Sequence, residues 1–255
     1  MRPTSLRLRA RPGSIDIVDG SIQPLLRKLG NSTGMLNLFV CTPGCALSVN
    51  ENCDASVRSD MLAALERLVP GSSEEAAETK ALLYGKSLSL PVAGGGLRFG
   101  TWQGIYLCAF GAEVVEAEVV ATFVAAADRP GGFTFSANKR SSHPLDEQVV
   151  RSVPPKAADG VVLVHELHTS ASLAVSAEGG DLEPGMSTII PETWNREFFT
   201  HTMEGDDDMP GHLKSSLLGC SVAVPMEGGS LMLGANQQLL LNEHRNAGGW
   251  GGGHA

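Results

Sequence analysis

Aromatic side chains supply only 5% of the 255 residues, no histidine occurs before position 143, and no two cysteines stand in a Cys-x-x-Cys pair. Positive charge is also short: 19 lysines and arginines face 28 acids, for a net charge of -9. Nucleic-acid binding rests on lysine and arginine neutralising phosphates, so this balance excludes broad contact with DNA or RNA. No apolar run approaches the roughly 20 residues of a membrane-spanning helix, so no membrane partner is expected. The five cysteines (Cys41, Cys45, Cys53, Cys108, Cys220) are odd in number. They read as reduced core thiols in a reducing compartment rather than as a disulfide framework. Arg2, Arg7, Arg9 and Arg11, with no acid among them, hint at a transit peptide. Leu6 and Leu8 alternate with the arginines as in an edge strand, however, and a cytoplasmic protein is the expectation. What remains is an ordinary globular composition, 42% hydrophobic and 18% charged, long enough for one large domain or two modest ones.

Period-two alternation predicts strands at 6–9 and 15–18, and a more continuous apolar run predicts another at 35–40. A short strand carries Leu47 and Val49. Val57, Met61, Leu65 and Leu68 then recur at four, four and three, which predicts a helix with Asp54 as N-cap and Pro70 beyond its end. Further strands are expected at 88–92, 97–99, 105–110 and 114–124, separated by glycines. Asp128-Arg129-Pro130-Gly131-Gly132 breaks regular structure and divides the chain into 1–128 and 129–255.

After that break the pattern starts again. Residues 80–103 laid on 214–237 give ten identities in 24 positions, among them Lys80/Lys214, Gly85/Gly219, Pro91/Pro225 and Gly100/Gly234. Upstream, Gly34, Leu47 and Val49 meet Gly160, Leu173 and Val175. This is a tandem duplication. The copies have diverged in opposite directions. Thr42 stands where the second copy has His168, and Glu78 where it has His212. The first copy keeps Asn50-Glu51-Asn52 and Gly100-Thr101-Trp102-Gln103-Gly104, which the second has lost. A helix is less well marked in the second copy because Pro184 and Pro191 interrupt it. The glycine-rich end, 248–255, is expected to be disordered.

The extra residues of the second copy hold the segment of greatest chemical interest, His-Thr-Met-Glu-Gly-Asp-Asp-Asp-Met-Pro-Gly-His at 201–212. Gly205 and Pro210-Gly211 predict an irregular loop there. Its two imidazoles, joined by His168, form a ligand set for one divalent cation with water in a fourth position. Zinc suits nitrogen donors best; magnesium, manganese and nickel are the other candidates. The competing reading is three solvated or capping histidines.

The motifs resemble those of the YjbQ family, also called the secondary thiamine-phosphate synthase family, whose members are about half this length. The second copy carries His-Thr-Ser-Ala-Ser-Leu (168–173), the 201–212 loop and Lys-Ser-Ser-Leu-Leu-Gly (214–219). The first carries Asn-Glu-Asn (50–52) and Gly-Thr-Trp-Gln-Gly-Ile-Tyr-Leu (100–107). The resemblance implies an α+β fold of two tandem β-sandwich-type repeats, each with one or two helices, and assembly as a homo-oligomer, trimeric in the family. It implies a thiamine-phosphate synthase activity that joins a pyrimidine pyrophosphate to a thiazole phosphate. Neither half carries the whole pattern.

The candidate residues divide by role. His168, His201 and His212 are the metal ligands; Glu204, His212 and Asp208 are the acid-base groups, with Asp207 and Asp208 as acceptors that orient imidazoles. Asp206 is expected to face water. Thr169, Ser170, Ser172 and Lys214 are donors suited to phosphate oxygens. Asn50, Glu51 and Asn52, with Trp102 and Gln103, are the first copy's contribution to substrate binding; the plain alternatives are a turn before the Asp54 cap and a core or interface tryptophan. Three readings follow: a composite enzyme acting on a small phosphorylated heterocycle, a non-catalytic metal- or anion-binding scaffold, and a metal-dependent phosphate-ester hydrolase.

Overall fold

The structure is a computed structural model that describes residues 2–113, 115–126, 131–154 and 159–246. Most of the 128–132 break and the 248–255 tail therefore lie outside the described residues. The chain forms two compact units, residues 1–125 and 126–255, each a mixed α+β fold built from antiparallel sheets.

The first unit runs β1 (Thr4–Ala10), β2 (Ser14–Ile17), α1 (Asp19–Leu29), β3 (Gly34–Val40), β4 (Cys45–Glu51), α2 (Ala55–Leu68), α3 (Glu74–Tyr84), β5 (Ser87–Ala93), β6 (Gly96–Leu97), β7 (Gln103–Ala109) and β8 (Val115–Ala125). Its strands form a five-stranded sheet, β1-β8-β3-β5-β6, and a three-stranded sheet, β2-β7-β4. Alternation in the larger sheet buries one face: Leu36, Leu38 and Val40 of β3, Leu88, Leu90 and Val92 of β5, and Val119 and Phe123 of β8. β4 and β7 are buried at every position. Helix α3 packs on them from one side, while β1, β3 and β5 approach from the other. A strand covered on both faces reads as a continuous apolar run, as Ile105 to Ala109 does.

Helix α2 starts where its sequence says it should, with the Asp54 carboxylate accepting from Ser56 N–H at 2.7 Å. Val57, Met61 and Leu65 are buried along one stripe, each worth about 1.5–3 kcal/mol. Helices α1 and α3 escape the sequence reading for separate reasons. α1 contains Gly20 and Pro24, yet still buries Ile22, Leu25, Leu26 and Leu29. α3 buries Ala77, Lys80, Ala81 and Tyr84, a stripe too small and too polar to look hydrophobic.

The second unit runs β9 (Ser141–Pro144), α4 (Asp146–Ser152), β10 (Gly160–His165), β11 (Ala171–Ala177), α5 (Glu183–Ile189), α6 (Trp194–Glu197), α7 (Asp208–Leu218), β12 (Ser221–Glu227), β13 (Ser230–Leu231) and β14 (Gln237–Glu243). The strand pairs common to both units keep the same register residue for residue. Leu36 pairs with Leu90 and Val162 with Val224; Cys45 pairs with Ala109 and Ala171 with Glu243. The sheets are β10-β12-β13 and β11-β14-β9. Their core is small, with Leu145, Val149, Ala171, Leu173, Leu239 and Leu241 at its centre. Among the described residues nothing corresponds to β8, so β10 has a strand neighbour on one side only.

One turn separates the repeats energetically. Gly95 and Gly229 hold the same place in the β5–β6 and β12–β13 hairpins, at φ +74° and +79°. A Cβ on Gly95 would stand 1.7 Å from the Gly30 carbonyl oxygen, whereas one on Gly229 meets nothing within 4 Å. Gly229→Ala should therefore cost only the left-handed backbone penalty, about 1–2 kcal/mol. Gly95→Ala should cost clearly more, because α1 must move. Denaturant titration of both variants checks this; equal losses would contradict it.

Candidate functional site

The 201–212 segment is only half a loop. Gly205 takes φ +115°, and helix α7 begins at Asp208, so His212 lies one turn into a helix rather than on irregular chain. Pro210 falls in the first turn, where the N–H it lacks has no helical partner in any case. Gly211 lets that turn lie close to its neighbours: a Cβ there would stand 2.9 Å from Ser170 Cβ and 3.4 Å from Arg245 Cγ. The Pro-Gly pair that looked like a breaker is what brings α7 against β11 and carries His212 to the 168–170 segment.

His201 and His212 stand together, both buried, with ring centroids 5.4 Å apart and planes at 72°. His201 Nε2 donates to Asp208 Oδ2 at 2.9 Å. His212 Nδ1 donates to the Thr169 carbonyl at 3.1 Å, and its Nε2 lies 3.6 Å from Asp208 Oδ2. Each ring thus has one nitrogen held by an acceptor, a support that ligating histidines commonly have. His168 has the reverse arrangement. Its Nδ1 accepts from Ser170 N–H at 3.1 Å, which puts the ring proton on Nε2.

The acids are held by two arginines that the sequence reading passed over. Arg245 meets Asp208 Oδ1 at 2.8 Å, Glu204 Oε2 at 3.3 Å and Asp207 Oδ1 at 3.7 Å, and also donates to the Glu204 carbonyl at 2.6 Å. Arg140 pairs with Asp207 at 3.3 Å and with Glu192. Burial alone would push Asp208 up. Hydrogen bonds from His201 and His212 and the charge of Arg245 instead hold it well below the ordinary carboxylate range. Asp207 is turned to the arginines and to Asn246 N–H, not to an imidazole. Asp206 is the outward member, paired with Arg196 and Asn195 at the surface. Three acids in a row, in a segment that becomes buried, demand countercharge; that was the available signal for Arg140 and Arg245.

Behind these groups lies a closed polar chain. Asn242 Nδ2 donates to Ser172 Oγ at 3.2 Å, Ser172 Oγ lies 2.9 Å from His244 Nε2, and His244 Nδ1 meets Glu183. Lys214 Nζ donates to Glu183 Oε2 and Ser187 Oγ, both at 2.9 Å. Ser172, Lys214 and His244 are fully buried. Lys80, the same residue in the repeat without histidines, is likewise buried and bonded to Glu66 and the Gly71 carbonyl. The lysine therefore has a structural task common to both repeats, and the Ser172 and Lys214 donors expected to reach phosphate are committed inside the unit.

The first repeat has turned the equivalent positions to internal bonding. Thr42 Oγ1 accepts from Glu118 N–H at 2.9 Å, and Glu78 accepts from Gly44 N–H and from Lys86 Nζ at 3.0 Å. Asn50 and Glu51 close strand β4 rather than forming a free turn. Asn50 Oδ1 accepts from Glu51 N–H, the Glu51 carbonyl accepts from Tyr106 OH, and Asn52 Nδ2 donates to the Gln103 carbonyl at 2.9 Å. Gln103 is buried, its Oε1 accepting from Gly100 N–H. Trp102, by contrast, is 59% exposed at the tip of that turn.

The profile of the family described as UPF0047 protein YjbQ-like matches residues 4–126 and again 132–248. Among similar curated proteins, UPF0047 protein YjbQ of Escherichia coli O157:H7 is 35% identical over 123 residues, covering 46% of this chain and 87% of the relative. UPF0047 protein YugU of Bacillus subtilis is 29% identical over 118 residues, 43% of this chain and 89% of its own. Of solved structures, hypothetical protein APE1520 from Aeropyrum pernix aligns with a TM-score of 0.46 at 22% identity, over 49% of this chain and all of that one. The conserved hypothetical protein TT1486 from Thermus thermophilus gives 0.43 at 28% identity, over 48% and 99%.

Glu243, 3% exposed, offers a test of this polar interior. Burial pushes its carboxyl up to about 7, against the Arg245 backbone N–H and charge. A raised acid contributes stability that is complete below its unfolded value and lost as pH climbs through 7. Glu243→Gln should accordingly gain on the wild type between pH 5 and pH 8, by up to about 3 kcal/mol. Unfolding curves at the two pH values measure it, and a difference that does not change with pH contradicts the assignment.

Proposed function

Because this chain belongs to the UPF0047 protein YjbQ-like family and contains the family fold twice, we propose that its second repeat is a metal-assisted centre for a small phosphorylated heterocycle. The observation that supports it most is the pair of adjacent buried imidazoles, each held at one nitrogen, by Asp208 and by the Thr169 carbonyl. The donor chemistry fits a divalent cation, zinc before manganese or magnesium, with His201 and His212 as nitrogen ligands and Asp208 as the carboxylate beside them. Such a cation would offset the charge that grows on a departing pyrophosphate.

The residues themselves have separable tasks. Arg245 and Arg140 hold Asp207, Asp208 and Glu204 in place, and the charge of Arg245 favours the ionised Asp208. His168, with its proton on Nε2, donates to an anionic substrate group, and Glu204 exchanges protons at the margin of the site. The reaction that the family resemblance suggests joins a pyrimidine methylene to a thiazole nitrogen, with pyrophosphate as leaving group. Trp102, with its exposed ring, and the Asn50, Glu51 and Asn52 segment are the first repeat's contribution. Sequence supports that sharing, since each repeat retains what the other has lost.

One observation favours a quieter reading, a metal- or anion-binding scaffold: the acids of the loop already have arginine partners, and Ser172 and Lys214 are spent on internal bonds. Elemental analysis separates the two. Protein purified without chelator should hold a stoichiometric metal that His201→Ala abolishes and that Asp208→Asn binds about 10–100-fold more weakly. No metal in the wild type would favour the scaffold. In a thiamine-phosphate synthase assay, His168→Ala should lower turnover by about 100-fold or more, and Trp102→Ala should lower it as well. Unchanged product formation by both would refute the enzyme.

A further inference from the structure

The first repeat has a cleft at the place where the second repeat packs its own cations. The cleft measures about 480 Å³, within the range of about 300–1,000 Å³ typical of small-molecule sites. It lies between the later half of α2, the Gly71–Ser72 turn, Lys80 of α3, and the chain just before β2 and just after β7. Leu62, Leu65 and Phe110 give it apolar walls, and its charged groups are Lys80 and Glu66. These two form an ion pair in which the lysine side chain is 7% exposed and the glutamate 57%.

Strand register identifies what the second repeat has at the same positions. Ser14 and Cys45 both pair with Ala109, as Ser141 and Ala171 both pair with Glu243. The next residues along are therefore equivalent: Gly13 to Arg140, Phe110 to His244 and Gly111 to Arg245. Where the second repeat has two arginines and a histidine, the first has two glycines and a phenylalanine. A Cβ on Gly13 or Gly111 would meet nothing within 4 Å.

The acid of the cleft has a counterpart as well. Glu192 follows Glu66 by 126 residues, the offset that also relates Leu47 to Leu173 and Val49 to Val175. Glu192 pairs with the Arg140 guanidinium, and its charge also acts on Lys214. Glu66 keeps the lysine, as Lys80, but has Gly13 in place of the arginine. Its Oε1 accepts from Gly71 N–H at 2.7 Å and its Oε2 from Lys80 Nζ. A carboxylate has about four acceptor positions, so about two remain for a further donor.

We infer that this cleft binds a small amidinium or guanidinium compound with an apolar body. Its planar N–H fork meets the Glu66 carboxylate, and its body lies against Leu62, Leu65 and Phe110. Exposure decides the sign of the ligand's charge. Lys80 is enclosed and its charge is met by Glu66, whereas the half-exposed carboxylate is the charged group a ligand can reach. A planar fork matches the two oxygens of a carboxylate. Bound there, the ligand completes the lysine–glutamate–guanidinium grouping that the second repeat makes within its own chain. The site lies inside the first repeat and makes no use of the imidazole pair.

Calorimetric titration of the full-length chain with three probes of one shape tests this: cationic benzamidine, neutral benzamide and anionic benzoate. Benzamidine should bind saturably, with benzamide weaker by about tenfold or more, the worth of a charge-assisted pair of bonds, and benzoate weaker still. Glu66→Gln, which keeps the shape and removes the charge, should weaken benzamidine by about tenfold or more with an unchanged circular dichroism spectrum. Gly111→Arg, which sets the second repeat's residue at the cleft, should abolish binding. Absence of saturable benzamidine binding overturns the proposal. So does benzamide or benzoate binding as tight as that of benzamidine, or benzamidine binding that either variant leaves unchanged.

Discussion

The Asp208 carboxylate is the constraint on which the second repeat depends. It is buried, and a buried carboxylate without partners would cost several kcal/mol. Three groups prevent that: the His201 imidazole, the Arg245 guanidinium and, at longer range, His212. Meeting all three fixes much else. The loop must turn at Gly205, α7 must begin at Asp208, and Arg245 must arrive from the chain just beyond β14. The tautomer of His201 is then no longer a choice. A single charge taken out of water thus fixes how that ring is held.

The two repeats show how far side chains can drift while a backbone register stands still. Strand pairs recur position for position, from Leu36–Leu90 to Val162–Val224. Meanwhile Thr42 and Glu78 stand where the second repeat has histidines, each with a hydrogen-bonding task of its own. The lysine common to both, Lys80 and Lys214, keeps its burial and changes its acid from Glu66 to Glu183. Comparing repeats in this way separates residues that maintain the fold from residues that give one half its chemistry.

Much of the architecture was legible in the sequence because it rests on periodicity: the strands, helix α2 with its Asp54 cap, and the duplication itself. Helix α3 was not, because its buried stripe is alanine, lysine and tyrosine. Helix α7 was not, because Pro210 and Gly211 signal a break unless the helix start is already known. At the site, His201, His212 and Asp208 do converge. His168 was grouped with them by residue type, but its partner Ser170 N–H, a backbone donor two residues away, sets its proton on the other nitrogen. Arg140, Glu183, His244 and Arg245 lie far from the loop in sequence, and only the fold brings them to it.

The shared register separates backbone from side chains. A chain in which either segment was written twice would keep the same strand pairs. It would also erase either the imidazole pair or the segment bearing Trp102. One backbone register therefore carries two different sets of side chains, and neither repeat alone holds both.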